Sequence, residues 1–212
     1  MKIALVEDRI RRMENSIGFE IKTVTMIKII TEGHLDDLLS ELNRRQTTVF
    51  QQYDCILAHR SAFNIEQRDV IKDHCREMKK PLVFFSGGVS SSIFNDEEFP
   101  YLHINVKDFY SKNLTCFIEE AQKNNKINLL ILQFGVKWKL SLLLSLRNTL
   151  ILKIQRNSIN WIDDISINEL IRQEIISKFE LPWLQEGEDQ CVTNEQVIEF
   201  SKKLNELILE SI

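Results

Sequence analysis

What the chain lacks narrows its chemistry first. Its four cysteines (Cys55, Cys75, Cys116, Cys191) lie far apart among 212 residues, and no two are spaced C-x-x-C. A zinc ribbon and a thioredoxin-type redox centre are thereby excluded, and the expectation is reduced thiols in a cytoplasmic protein. There is no P-loop, no G-x-G-x-x-G turn and no G-x-S-x-G elbow, so the familiar sequence signs of nucleotide binding and serine hydrolysis are missing. The N-terminus shows no signal-peptide apolar core, because Lys2 to Val6 already reads as a strand. The most apolar region, 127–154, is interrupted by Lys137, Lys139 and Arg147. A bilayer would have to bury those charges, so no membrane span is expected. Internal repeats and low-complexity tracts are also absent.

What is present has the composition of an ordinary globular chain, 43% hydrophobic and 27% charged, long enough to bury a sizeable core in one or two domains. A net charge of −4 argues against a generally basic coat for nucleic acid while leaving local patches open.

Through residue 121, short apolar runs alternate with amphipathic stretches. "KIALV" (2–6), "TVTMIKII" (23–30), "YDCILA" (53–58), "PLVFF" (81–85) and "YLHINV" (101–106) read as strands. Between them, Ile10, Met13 and Ile17 mark one helix face, Leu35, Leu38, Leu39 and Leu42 a second, and Ile65, Ile71, Cys75 and Met78 a third. Leu114, Phe117, Ile118 and Ala121 stripe a closing helix. Such alternation predicts a parallel sheet covered on both faces and joined by right-handed crossovers, with the flavodoxin-like doubly wound order as the best candidate.

The polar stretch "QKNNKIN" (122–128) marks the expected boundary between a domain at 1–121 and a mainly helical region at 127–212. Ser166 with Glu169, and Thr193 with Gln196, have capping-box spacing. Residues 122–156 hold seven basic side chains and no acidic one, whereas 157–212 hold four basic against twelve acidic. The basic residues are interleaved with leucines that must be buried, and no helix-turn-helix pattern is evident. Contact with nucleic acid is therefore an alternative and not the leading expectation. Lys137, Trp138, Lys139, Arg147, Trp161 and Trp183 are candidates for a protein interface, tryptophan being as often a core residue as an anchor.

In an open α/β sheet, ligands sit beyond the carboxyl ends of the strands. Predicted there are Glu7 and Asp8 after the first strand, His59 after the third, Ser86 after the fourth and Lys107 after the fifth. This order resembles the receiver domain of two-component response regulators over residues 1–121. The resemblance assigns "ALVED" to the family's strand with the magnesium-binding acidic pair, "DCILAH" to its third strand, Ser86 to the switch hydroxyl and Lys107 to the family lysine. It departs at two positions. His59 stands where the family carries its phospho-accepting aspartate, and Asp108 where a proline usually follows the lysine. Acyl-phosphate formation needs a carboxylate nucleophile, and magnesium needs hard oxygen ligands; imidazole supplies neither. Asp54 begins the strand, about 16 Å back at ~3.3 Å per residue, and cannot substitute.

The resemblance therefore implies a pseudo-receiver, folded but not phosphorylated on aspartate. The leading expectation is a non-catalytic regulatory or assembly module that docks onto another protein, within a larger complex or as a homodimer. No cofactor and no resident metal are expected, Glu7 and Asp8 being the candidate ligands were a metal bound. Two alternatives stand beside it: a DNA-binding regulator with an atypical output domain, and a metal-dependent phosphohydrolase using Glu7, Asp8 and His59.

Overall fold

The computed structural model describes residues 1–9, 11, 13, 24–89, 93–94, 101–155 and 194–212. They form two compact units, Met1–Val136 and Lys137–Ile212.

The first unit is built on one sheet. Its strands are β1 (Ile3–Val6), β2 (Ile27–Ile30), β3 (Cys55–His59), β4 (Leu82–Ser86), β5 (Ile93–Phe94) and β6 (Leu102–Asn105). Their spatial order is β2-β1-β3-β4-β6-β5, and every neighbouring pair is parallel except β5 with β6. The five parallel strands have the flavodoxin-like order expected from the alternating pattern. The two-residue β5, which is too short to show a period, adds an antiparallel edge. β1 and β3 are buried throughout, which explains their continuous apolar runs: a doubly covered parallel strand has no solvent face to alternate with.

Alternate side chains divide the sheet's two faces. Ala4, Val6, Ile56, Ala58, Leu82 and Phe84 share one buried cluster with Leu35, Leu38 and Leu42 of α1 (Gly33–Asn43) and with Val70, Ile71 and Cys75 of α2 (Ile65–Glu77). The other set includes Leu5, Leu57 and Phe85. Phe85 stacks on Phe109 of the short α3 (Val106–Phe109), with centroids 4.0 Å apart. The expected stripe Leu114, Phe117, Ile118 and Ala121 is buried on α4 (Lys112–Asn124).

Two features of the helices differ from the expectation. Ile65 and Met78 are exposed, because they lie at the two ends of α2; its middle buries Gln67 and His74 instead. The polar stretch 122–128 lies inside the first unit, where Asn125 adopts the left-handed conformation that ends α4. Asn128 then caps α5 (Leu129–Phe134), its side chain accepting from the Leu130 amide. The Asn113 amide group donates to Leu132 O (3.2 Å). Gly135 closes α5 at φ +72°, where a Cβ would sit 2.9 Å from Asn113 Oδ1. Both the backbone angle and the crowding require glycine there.

In the second unit, α6 (Trp138–Gln155) packs against α7 (Asn194–Glu210), with Leu143, Phe200, Leu204 and Leu207 buried. "KWKLSL", whose alternation is ambiguous in sequence, opens α6. The Ser166 capping box, Thr193, Trp161 and Trp183 lie outside the described residues. Among those residues, no helix is long and apolar enough to cross a membrane.

Candidate functional site at the carboxyl edge of the sheet

β1 delivers two carboxylates to the rim. The Glu7 amide extends the ladder by one bond, donating to Ile30 O (3.1 Å), and its side chain is fully buried. A buried carboxylate must be compensated or neutralised, and here both occur. Glu7 Oε2 accepts from the Tyr110 hydroxyl at 2.6 Å, and Oε1 accepts from the Arg9 amide at 3.0 Å. Burial nevertheless pushes the Glu7 carboxyl up to about 7; Tyr110 and the Arg9 amide oppose that rise, and Asp8 adds to it.

Asp8 meets the end of β3. His59, the last residue of that strand, is only 2% exposed. Its Nδ1 lies 2.9 Å from Asp8 Oδ1 and 2.6 Å from Ser61 Oγ, while Ser61 Oγ lies 3.0 Å from Asp8 Oδ2. A proton on Nδ1 serves Ser61 Oγ and the Ser61 hydroxyl points at Asp8 Oδ2, so that Ser61 links the imidazole to the carboxylate, while Asp8 Oδ1 stands beside Nδ1 as an ion-pair contact. Phe85 stands edge-on to the imidazole, ring centroids 5.2 Å apart, and fixes the ring's plane from β4. Arg9 Nε lies 3.9 Å from Asp8 Oδ2, on the exposed side.

Glu7, Asp8 and His59 are therefore brought together, as their order in sequence suggested. Ser86 ends β4 half-buried, and its hydroxyl accepts from the Gly88 amide (3.2 Å) to form a local turn. Lys107 is exposed on α3, where its amide donates to the capping Asn105 side chain (2.9 Å). Among the described residues it forms no ion pair with Glu7 or Asp8. The side chain that reaches the acidic pair from beyond β6 is Tyr110. Neither Tyr110 nor Ser61 stands out in sequence: each is a common polar residue, and only the fold supplies its reach.

In the second unit, Lys137, Lys139 and Arg147 are exposed and Trp138 is half-buried, with Lys139 Nζ 5.6 Å from the centre of its ring.

The site's wiring limits its chemistry. Serine, histidine and aspartate are all present, but Ser61 and Asp8 share one ring nitrogen. A base that relays a proton from a hydroxyl bridges its partners through opposite nitrogens, so this arrangement restrains Ser61 and does not activate it. Glu7, Asp8 and His59 offer donor atoms within 4.8 Å of one another, the spacing of a metal-ligand set. A cation there would have to displace the Ser61 hydroxyl, 2.6 Å from Nδ1, to use that nitrogen. A nitrogen donor also favours borderline metals over magnesium. Compared with known proteins, the chain shows no match to any family model, curated protein or solved structure.

Proposed function

We propose that this protein is a non-catalytic regulatory or assembly module: a pseudo-receiver fold that acts by binding another protein. The observation that carries this reading is the bridge that Ser61 makes between the His59 imidazole and the Asp8 carboxylate, with the imidazole 2.9 Å from Asp8. In a phosphate-accepting receiver the acidic pair must be open to a divalent cation and must face a carboxylate nucleophile. Here Asp8 accepts from the Ser61 hydroxyl and stands 2.9 Å from the imidazole, and Glu7 accepts from Tyr110 and the Arg9 amide. An acidic pair engaged by the chain's own side chains, with an imidazole where the nucleophile would stand, is poorly suited to phosphoryl chemistry. Its remaining asset is the surface around it.

The test is incubation of the full chain with acetyl phosphate and magnesium, followed by intact mass. The expected result is an unmodified protein. A phosphoryl group that hydroxylamine releases, and that disappears in Asp8→Asn, would overturn the proposal.

The DNA-binding alternative draws on the exposed Lys137, Lys139 and Arg147. Lys139 and Arg147 sit on the leucine-rich α6 and Lys137 just before it, and three phosphate contacts would give only weak, salt-sensitive attachment.

A further inference from the structure

Away from the carboxyl edge, the outer side of the sheet carries a second feature. Among the described residues β2 is an edge strand, with β1 as its sole neighbour. The bonds Ile3 N to Met26 O and Glu7 N to Ile30 O fix the phase of the ladder. In a parallel pair with that phase, Met26, Lys28 and Ile30 point their backbone groups at β1, and Ile29 points its N–H and C=O outward. Beside this open edge runs a groove of about 600 Å³, bordered by Lys28, Ile29 and Ile30 on the strand side and by α1 on the other.

The groove is polar in an unusual way. Tyr53 lies in its lining, and its hydroxyl, open to the groove, has no hydrogen-bond partner among the described residues. A bound donor or acceptor could take up that hydroxyl in place of water. On the α1 wall, Asp37, Glu41 and Arg44 recur at intervals of four and three residues and so share one face. Glu41 accepts from the Val49 amide (3.2 Å). Among the described residues, neither carboxylate has a cationic partner and neither Lys28 nor Arg44 has an anionic one. Asp37 and Glu41, one helical turn apart, repel each other.

We infer that this groove and the β2 edge together bind a short extended peptide of the partner protein, which adds a strand to β2 and lays a basic and an acidic side chain, two residues apart, into the groove. The open Ile29 backbone supplies the main-chain bonds that hold any extended segment. Side chains two residues apart on a strand share a face, so both would enter the groove. The basic one meets Asp37 and Glu41, the acidic one meets Lys28 or Arg44, and the peptide backbone or a polar side chain satisfies Tyr53. A small apolar ligand would leave all of these groups unpaired. The inference rests on the partner-binding reading above and names the chemistry of the partner.

The test uses the full chain and the blocked peptide Ac-Val-Lys-Val-Glu-Val-Thr-NH2, with Ac-Val-Gln-Val-Gln-Val-Thr-NH2 as control. Amide hydrogen exchange at Ile29 is the readout. The charged peptide is expected to slow Ile29 exchange saturably, about tenfold, and the glutamine control much less. Tyr53→Phe and Glu41→Gln, which keep the fold's apolar contacts, should each weaken the effect several-fold. Ile29→Pro, tolerated at an outward-facing edge position, removes that amide, so its loss of binding is read instead by fluorescence anisotropy of the labelled charged peptide. Unchanged Ile29 exchange at millimolar peptide overturns the inference, as does equal slowing by both peptides that survives Tyr53→Phe and Glu41→Gln. Phosphorylation by acetyl phosphate would defeat the pseudo-receiver reading without altering the Ile29 result, so the two failures are distinguishable.

Discussion

Tyr110 and Glu7, 103 residues apart in sequence, meet at 2.6 Å through a buried hydrogen bond that ties the segment after β6 to the end of β1. Tyr110 is positioned by neighbours and not by reach alone: its ring stands edge-on to Phe85 and Phe109, with centroids 5.4 and 4.9 Å away. Removing the hydroxyl while keeping the ring isolates the polar contribution. Tyr110→Phe is expected to cost about 1–2 kcal/mol at pH 8, where Glu7 is ionised, and less at pH 5. Urea unfolding at the two pH values checks this.

Glu7 itself should give stability a pH dependence of definite sign. Its folded pKa, about 7, lies above the ordinary value of 4.5. Between those values the folded state binds the proton more tightly than the unfolded state. Stability therefore falls as pH rises from about 4.5 to about 7 and levels off beyond. Glu7→Gln abolishes that contribution. Relative to the parent, the glutamine variant should gain up to about 3 kcal/mol between pH 5 and pH 8, at ~1.36 kcal/mol per pKa unit. A constant difference across that range would mean that Glu7 is not the titrating group.

His59→Asp tests whether the imidazole stands in for a cation. The substitution sets a third carboxylate beside Glu7 and Asp8 and removes the imidazole that stands 2.9 Å from Asp8. The expected cost is about 2 kcal/mol in the presence of a chelator. Millimolar magnesium should restore much of it, because three oxygens now converge on one point. The parent protein should show no change in unfolding midpoint with magnesium.

The basic helix offers a test of the main rival. Were α6 a nucleic-acid surface, duplex binding at low salt would weaken in a Lys137→Ala, Lys139→Ala, Arg147→Ala variant, and its salt slope would shrink by about three. The expected outcome is no saturable duplex binding by the parent at low salt, measured by fluorescence anisotropy.

Much of the fold was legible because burial on both faces leaves a strong sequence mark. β1 and β3 are continuous apolar runs, and Leu35, Leu38 and Leu42 keep the helical period. The marks failed where local chemistry outweighed apolarity. The start of α2 is set by Asn64 and Gln67, whose side chains each accept from the other's amide (2.8 and 2.9 Å); that cap places Ile65 in the first turn, out of the core. Gln67 is buried because its amide group also reaches Asn43 Oδ1 (2.8 Å), a contact across 24 residues that no periodicity can announce. At the site, Glu7, Asp8 and His59 could be grouped because the ends of adjacent parallel strands must lie side by side. Ser61 and Tyr110 could not, because their roles depend on the course of the chain after β3 and β6. Lys107 was placed correctly on the edge, yet which way its side chain faces is set by the capped turn of α3.

The most direct measurement of the central claim is the state of the His59 ring, read by nitrogen-15 NMR with and without millimolar magnesium. The account requires a proton on Nδ1, hydrogen-bonded to Ser61, that is untouched by the cation. A bare Nδ1, or a ring signal that moves saturably with magnesium, would contradict it and make the carboxyl edge an open cation site.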